Sequence, residues 1–294
     1  MCIVSLMRVL LVFLLSFTLL HAEKQFPLPR EITFQGSDRF EEINRRAVTE
    51  KWRKLPIGDR ITQIGLALEG IPYKGFTLEI HDHIESPSIN LRGLDCWTFF
   101  ETCLGWARML ENKKPPYAPE DLLREIEHTR YWKGQCHGNY LDRIHYLVDW
   151  FHDNEKRGTI TDLTRKFPHE KMPPQAGEMS RLWKHYRYLK HNPELRPGMA
   201  KHEARLNATD IYMIPKSKVA AIEPKLRNGD IIGIARNDKG SFCSHVGIIV
   251  IDQKGVRRFM HASTTYKKVV LDRSISEYLA QFKKHAGILV ARPR

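Results

Sequence analysis

Gly93-Leu94-Asp95-Cys96-Trp97-Thr98-Phe99-Phe100-Glu101 marks a change of texture in the chain. Before it lies an irregular run rich in turn formers: Ser86, Pro87, Ser88, Asn90 and Gly93. After it Phe99 or Phe100, Cys103, Leu104, Ala107 and Leu110 recur at three- and four-residue steps, which predicts a helix over about 96–111 with one buried face. Asp95 stands where an N-cap belongs. Cys96 then falls in the first turn, where unpaired backbone N–H groups and the helix dipole favour an anion and ease loss of the thiol proton. A thiolate there is a nucleophile. A small buried cysteine at a helix start is the other reading of the same residues.

On the C-terminal side, Ile- and Val-rich runs separated by turn residues predict strands over 230–236, 245–251, 256–262, 267–271 and 288–292, with one helix at about 275–283. On the N-terminal side, Ser37-Asp38 can cap a helix over about 39–53, and a second helix at about 58–69 ends at Gly70. Ile71-Pro72-Tyr73-Lys74-Gly75 reads as a turn into a short strand over 76–80. Between about 115 and 225 lies a polar, aromatic-rich stretch with helices predicted at 121–127 and 140–154, broken elsewhere by Pro173-Pro174, Pro193 and Pro197-Gly198. Helices first and a largely antiparallel sheet last is an α+β layout.

Arg8 followed by the apolar run Val9–Leu20 and by His21-Ala22 has the layout of a secretory signal over 1–22, leaving 23–294 as a single domain. No later segment approaches the ~20 apolar residues needed to span a bilayer, so a soluble, exported protein is expected, with no stable membrane span after cleavage; a monomer is the expectation for its assembly. Of the 294 residues 47 are Lys or Arg and 34 are Asp or Glu, giving a formal net charge of +13 that suits an acidic polymer or surface. Nucleic acid is one candidate, against which export argues, and a carboxylate-bearing cell-wall glycopeptide is another; a solvated basic surface is the other reading of the same charge. Beyond Cys2, the cysteines are Cys96, Cys103, Cys136 and Cys243, with no Cys-x-x-Cys spacing.

A cysteine nucleophile needs a base and a group to orient that base. His245 begins one predicted strand and His261 ends the next. If Gln253-Lys254-Gly255 forms a three-residue loop with Gly255 left-handed, Asp252 opposes Val256 and Gly247 opposes His261. The two histidines are then diagonal neighbours on one face. A two-residue loop would put them on opposite faces.

Asp95-Cys96, Ser244-His245-Val246-Gly247-Ile248 and Phe259-Met260-His261-Ala262-Ser263 together resemble the NlpC-type bacterial cell-wall cysteine hydrolases, whose core is papain-like. The narrower resemblance is to their N-acetylmuramoyl-L-alanine amidase-like family. It rests on Pro72-Tyr73-Lys74-Gly75-Phe76-Thr77-Leu78-Glu79, Tyr131-Trp132-Lys133-Gly134, Arg143-Ile144-His145-Tyr146 with Asp149-Trp150, Gly229-Asp230-Ile231-Ile232 and Val269-Val270-Leu271-Asp272. The resemblance implies a nucleophile helix packed on an antiparallel sheet, with the stretch 115–225 as a large, mainly helical insertion. It implies Cys96 as nucleophile, His245 as base and then acid, and His261 as the group that polarises His245. Tyr73 would help bind the oxyanion beside N–H groups at the helix start. Asp95, Trp97, Ser244, Arg143 and His145 are further candidates for the substrate site; Trp97 stands where a small or β-branched residue is expected. The implied reaction is hydrolysis of the amide between N-acetylmuramic acid and L-alanine in peptidoglycan fragments, with no metal or cofactor. A peptidase cutting γ-D-glutamyl–diamino acid bonds in the stem shares this chemistry. A metal-dependent hydrolase using His81-Asp82-His83 or Cys136-His137, and a catalytically silent wall-binding module, are the readings from other classes.

Overall fold

The computed structural model describes residues 26–236 and 240–294. The export segment read at 1–22 lies outside them. The fold is α+β. Helices α1 (Ser37–Thr49) and α2 (Ile57–Ala67) come first and α3 (Cys96–Asn112) is central. Helices α4 (Pro119–Arg130), α5 (Leu147–Lys156), α6 (Arg196–Asn207) and α7 (Lys216–Ile222) follow among short turns. The sheet closes the chain, with α8 (Ile275–Ala280) between its last two strands.

Two short strands, β1 (Phe34–Gln35) and β2 (Ile89–Asn90), pair in parallel. The main sheet is antiparallel. The strands at one end of it come from the middle of the chain: β3 (Ile160–Asp162), β4 (Glu170–Lys171) and β5 (Tyr212–Pro215). Its body is β6 (Ile231–Arg236), β7 (Cys243–Ile251), β8 (Arg257–Ser263), β9 (Lys268–Ser274) and β10 (His285–Pro293), in the spatial order β4-β5-β10-β6-β7-β8-β9 with β3 on β10.

The β7–β8 hairpin has the register that sets the site. Ile251 faces Arg257 and Ile248 faces Met260, which is the three-residue loop alignment. Gly255 holds φ +78°, and its N–H donates to the Asp252 carbonyl at 2.9 Å. One sheet face carries Val246, Ile248, Met260 and Ala262 against α3. The other carries Ile249 and Phe259 against α7 and α8.

Helix α3 is buried almost all round, as an element apolar on every side must be. Its one buried acid, Glu101, accepts from Arg130 Nε of α4 at 2.7 Å. A strap of residues 70–73 ties the helical half to the sheet: Gly70 N–H donates to Val269, Val269 N–H to Ile71 and Tyr73 N–H to Lys267. Tyr73 also bridges Leu94, beside Cys96. Gly93 permits this approach, because a Cβ there would lie 2.7 Å from Cβ of Lys74.

Three local expectations are corrected. The strand over 76–80 is absent: Glu79 N–H donates to the Phe76 carbonyl in a turn, and Phe76 takes φ +60°. The helix over 140–154 is split into a 3-10 turn at Tyr140–Asp142 and α5, with 143–146 outside both. Arg143 there bridges Tyr131 and Ile144 N–H donates to Arg130, so pairing with a distant segment displaces the local helical pattern. Ser37 is the first residue of α1 rather than its cap; Gly36, at φ +90°, holds the N-cap position, and the helix stops at Thr49.

Candidate active site

The sequence of α3 places Cys96 and fixes its backbone. Asp95 Oδ1 accepts from Thr98 N–H at 2.7 Å and Thr98 Oγ1 accepts from Asp95 N–H at 3.0 Å, a reciprocal capping box. The N–H groups of Cys96, Trp97 and Val246 reach the Cys96 sulfur. The expected easing of thiol ionisation meets an opposing effect. Burial, reinforced by the adjacent Asp95 charge, pushes the Cys96 thiol up to about 12, and the N–H donors offset only part of this.

The sheet supplies the imidazoles. His245 Nε2 lies 2.7 Å from His261 Nδ1, and His261 Nε2 lies 3.5 Å from Asp272 Oδ2 on β9. A carboxylate only accepts, so the proton on this side of His261 belongs to Nε2. His261 Nδ1 then accepts and His245 Nε2 donates. The pairing thereby assigns a lone pair to His245 Nδ1. Burial holds the protonated form of His245 well below the usual imidazole range, with the nearby His261 and His285 adding to it. Burial lowers His261 as well, and Asp272 opposes that shift. The resting arrangement is therefore a neutral thiol and a neutral imidazole lining one cavity.

Cys96 and His245 line one small cavity of about 140 Å³. It adjoins a cleft of about 450 Å³ whose lining includes Tyr73, Phe76, Glu79, Glu178, Tyr186 and Ser244. Tyr73 is pushed up to about 12, chiefly by burial and further by Asp95 and any negative charge on Cys96, so it stays an O–H donor. Trp97 lines the cleft with its ring edge-on to Phe100 at 5.6 Å.

Arg143 and His145 also face the cleft, but not from a helix. Arg143 is 4% exposed and joins Glu79 at 3.0 Å and Glu85 at 3.2 Å. His145 Nε2 pairs with the Tyr140 carbonyl at 2.9 Å, and burial keeps it neutral. Cys243 lines the same cleft; with Cys96, Cys103 and Cys136 it is a free thiol.

Sequence reading missed Asp272 as a partner of His261, and Glu178 and Tyr186 as cleft wall. Asp272 carried a signal, since it ends the quoted Val269–Asp272 run on the strand after His261. Glu178 and Tyr186 fall in a proline-broken stretch with no periodicity. Tyr278 and His285, which stack at 5.7 Å behind His245, also went unread.

Among the described residues no group of three His, Cys, Asp or Glu side chains is placed to hold a metal ion. His81 Nδ1 accepts the N–H groups of His83 and Ile84, and the Cys136 thiol donates to the Glu85 carbonyl. No described helix is long and apolar enough to cross a membrane.

A family model described as AmiA-like, N-acetylmuramoyl-L-alanine amidase-like, matches residues 63–288. The crystal structure of an N-acetylmuramoyl-L-alanine amidase from Bacteroides uniformis is similar, with 29% identity, coverage of 81% of this chain and 99% of that one, and TM-score 0.73. A Bacteroides fragilis structure assigned provisionally as a xylanase is 33% identical over 78% of this chain and 98% of that one, with TM-score 0.67. A Legionella pneumophila protein at 21% identity, covering 87% of this chain and 95% of that one with TM-score 0.63, shares the fold. No curated protein matches the chain.

Proposed function

From the premise that the chain belongs to the N-acetylmuramoyl-L-alanine amidase-like family, we propose that it is an exported cysteine amidase with an NlpC-type, papain-like core. It cleaves the amide between the lactyl group of N-acetylmuramic acid and L-alanine in soluble peptidoglycan fragments. The observation that carries this reading is the chain of hydrogen bonds from Asp272 through His261 to His245, in a cavity shared with Cys96. The leader-like composition of 1–22 supports export.

The chemistry follows from the protonation states. His245 Nδ1 takes the thiol proton as Cys96 Sγ attacks the lactyl carbonyl carbon. The developing oxyanion is held by the Tyr73 hydroxyl and by N–H groups at the start of α3. His245 returns its proton to the amine as the C–N bond breaks, releasing the L-alanyl peptide and leaving a thioester on Cys96. Water, deprotonated by His245, hydrolyses the thioester and restores the thiol. His261 keeps the His245 ring oriented throughout, and Asp272 keeps His261 in the tautomer that allows it.

Mass spectrometry of defined muropeptides incubated with the protein tests this, with and without chelator and beside Cys96→Ala. Free sugar and intact L-alanyl peptide, released despite chelator and absent in the variant, are expected. Cleavage within the stem would keep the mechanism and move the bond. Activity that survives in Cys96→Ala but is lost with chelator would overturn the reading.

A further inference from the structure

Phe76 is 66% exposed, yet it holds a backbone angle of φ +60°. A bulky side chain in that region is an outlier, and an exposed ring returns little burial to offset the strain. Glycine would serve the turn better, and Gly75 stands next to it. Folding alone therefore does not account for this residue. Its position does offer an account, because Phe76 lies on the wall of the cleft that carries Cys96.

The segment bearing Phe76 is pinned on both sides. Upstream, Tyr73 bridges Leu94 and Lys74 N–H donates to the Leu94 carbonyl at 3.0 Å. Downstream, Glu79 is held by Arg143. Two anchors thus fix an exposed aromatic ring relative to the nucleophile. A Cβ on Gly75 would meet only Tyr73 Cε1, at 3.9 Å, so the surface between Tyr73 and Phe76 is open.

The orientation of a substrate follows from the proton transfers. The leaving amine must lie at His245, so the acyl half extends away from it. Phe76 lines the larger cleft but not the small cavity that holds His245. It stands with Tyr73, the proposed oxyanion donor, on the acyl side. In a muramoyl amide the acyl half carries a pyranose ring, whose C–H faces bear partial positive charge. An aromatic face bears the complementary negative charge.

We propose that Phe76 is a stacking platform for the sugar ring, and that it makes the enzyme select glycan-bearing substrates over bare peptides. This rests on the amidase reading. It assigns a subsite and a specificity-determining residue rather than another member of the catalytic set.

The test compares kcat/KM for N-acetylmuramoyl-L-alanyl peptide with that for N-lactoyl-L-alanyl peptide, which has the same scissile amide and no sugar. Wild type, Phe76→Ala, Phe76→Gly and Phe76→Trp are measured beside their thermal midpoints. The ratio of the two constants is expected to fall roughly tenfold in the Ala and Gly variants. The Trp variant should keep it, because its ring restores the platform. Phe76→Gly should melt about 2–4 °C higher than wild type, as the strain is relieved. An unchanged ratio in Phe76→Ala, or equal losses on both substrates, would overturn the proposal, as would a lower melting point for Phe76→Gly. Failure of wild type to cleave either amide would instead overturn the amidase reading.

Discussion

At the scale of single residues, the site depends on where three protons lie. Asp272 fixes Nε2–H on His261, which leaves its Nδ1 free to accept from His245 and gives His245 Nδ1 the lone pair that the proposed mechanism uses. Asp272→Asn reverses this order. Its amide N–H can donate to His261 Nε2, which moves the His261 proton to Nδ1 and the His245 proton to Nδ1. The expected loss in kcat at neutral pH is roughly 10²–10⁴-fold with little change in KM. Asp272→Ala, which leaves room for a water able to accept, should lose less. A role limited to packing would order the two variants the other way, because Asn is the closer match in shape. Steady-state kinetics on both variants, with circular dichroism to confirm folding, decides between them. Cys96, His245 and His261 were legible as one cluster because each sits in a local pattern: a capped helix start for Cys96, and a hairpin loop whose length sets the face for His245 and His261. Asp272 escaped a role because the β8–β9 register, which pairs His261 with Val270 and so makes Asp272 its diagonal neighbour, depends on a connection that no local pattern fixes. For Cys96 the helix N-terminus is visible in sequence, whereas the burial that opposes ionisation is not.

At the scale of elements, α3 was readable because its apolar positions repeat and its cap is local, whereas 76–80 and 143–146 were misread because distant partners set them. The ion pair between α3 and α4 shows the same dependence on tertiary context. Glu101 and Arg130 are both essentially inaccessible, and Arg130 also donates to the Ser88 carbonyl at 2.8 Å. A pair so deep is weak evidence of net stabilisation, since desolvating both charges offsets much of their attraction. Removing one member is another matter. Arg130→Met leaves an acid stranded in an apolar helix interface and should cost about 3–5 kcal/mol. The double variant Glu101→Met with Arg130→Met should recover most of that loss. Urea unfolding at constant m-value measures both. A double variant as unstable as the single one would mean that the pair is held for its geometry, with Arg130 needed at Ser88 to seat the loop before α3.

At the scale of the whole molecule, the middle of the chain was legible as an elaboration but not as a cleft wall. Its short helices carry weak periodicity, and its contribution of Glu178 and Tyr186 to the cleft is set by packing across more than 80 residues of chain. What ties that region to the rest is a buried ionic cluster in which Arg143 joins Glu79 and Glu85, and Tyr131 O–H donates to Glu85 at 2.7 Å. Two acids share one guanidinium here, so the cluster carries a pH dependence that the global stability should report. Burial raises Glu85 to about 7, against the pull of Arg143 and Tyr131, while in the unfolded chain the same carboxyl titrates near its ordinary value of 4.5. Between those two values the native state holds a proton that the unfolded state has lost. The contribution of Glu85 to stability is therefore fully present below the unfolded value, and it is lost as pH rises towards 7. The buried histidines His145, His245 and His261 are shifted down and act in the opposite sense, losing stability as pH falls below the ordinary imidazole value. A bare pH profile would mix the two effects. Glu85→Gln separates them, because glutamine keeps the acceptor for Tyr131 and does not titrate, while the histidines are common to both proteins. The unfolding free energy of Glu85→Gln relative to wild type should rise by roughly 3 kcal/mol between pH 4.5 and 8, with most of the change complete by pH 7. A difference that stays flat over that range would mean that Arg143 holds Glu85 ionised throughout, and that the cluster is a fixed ion pair rather than a titrating one.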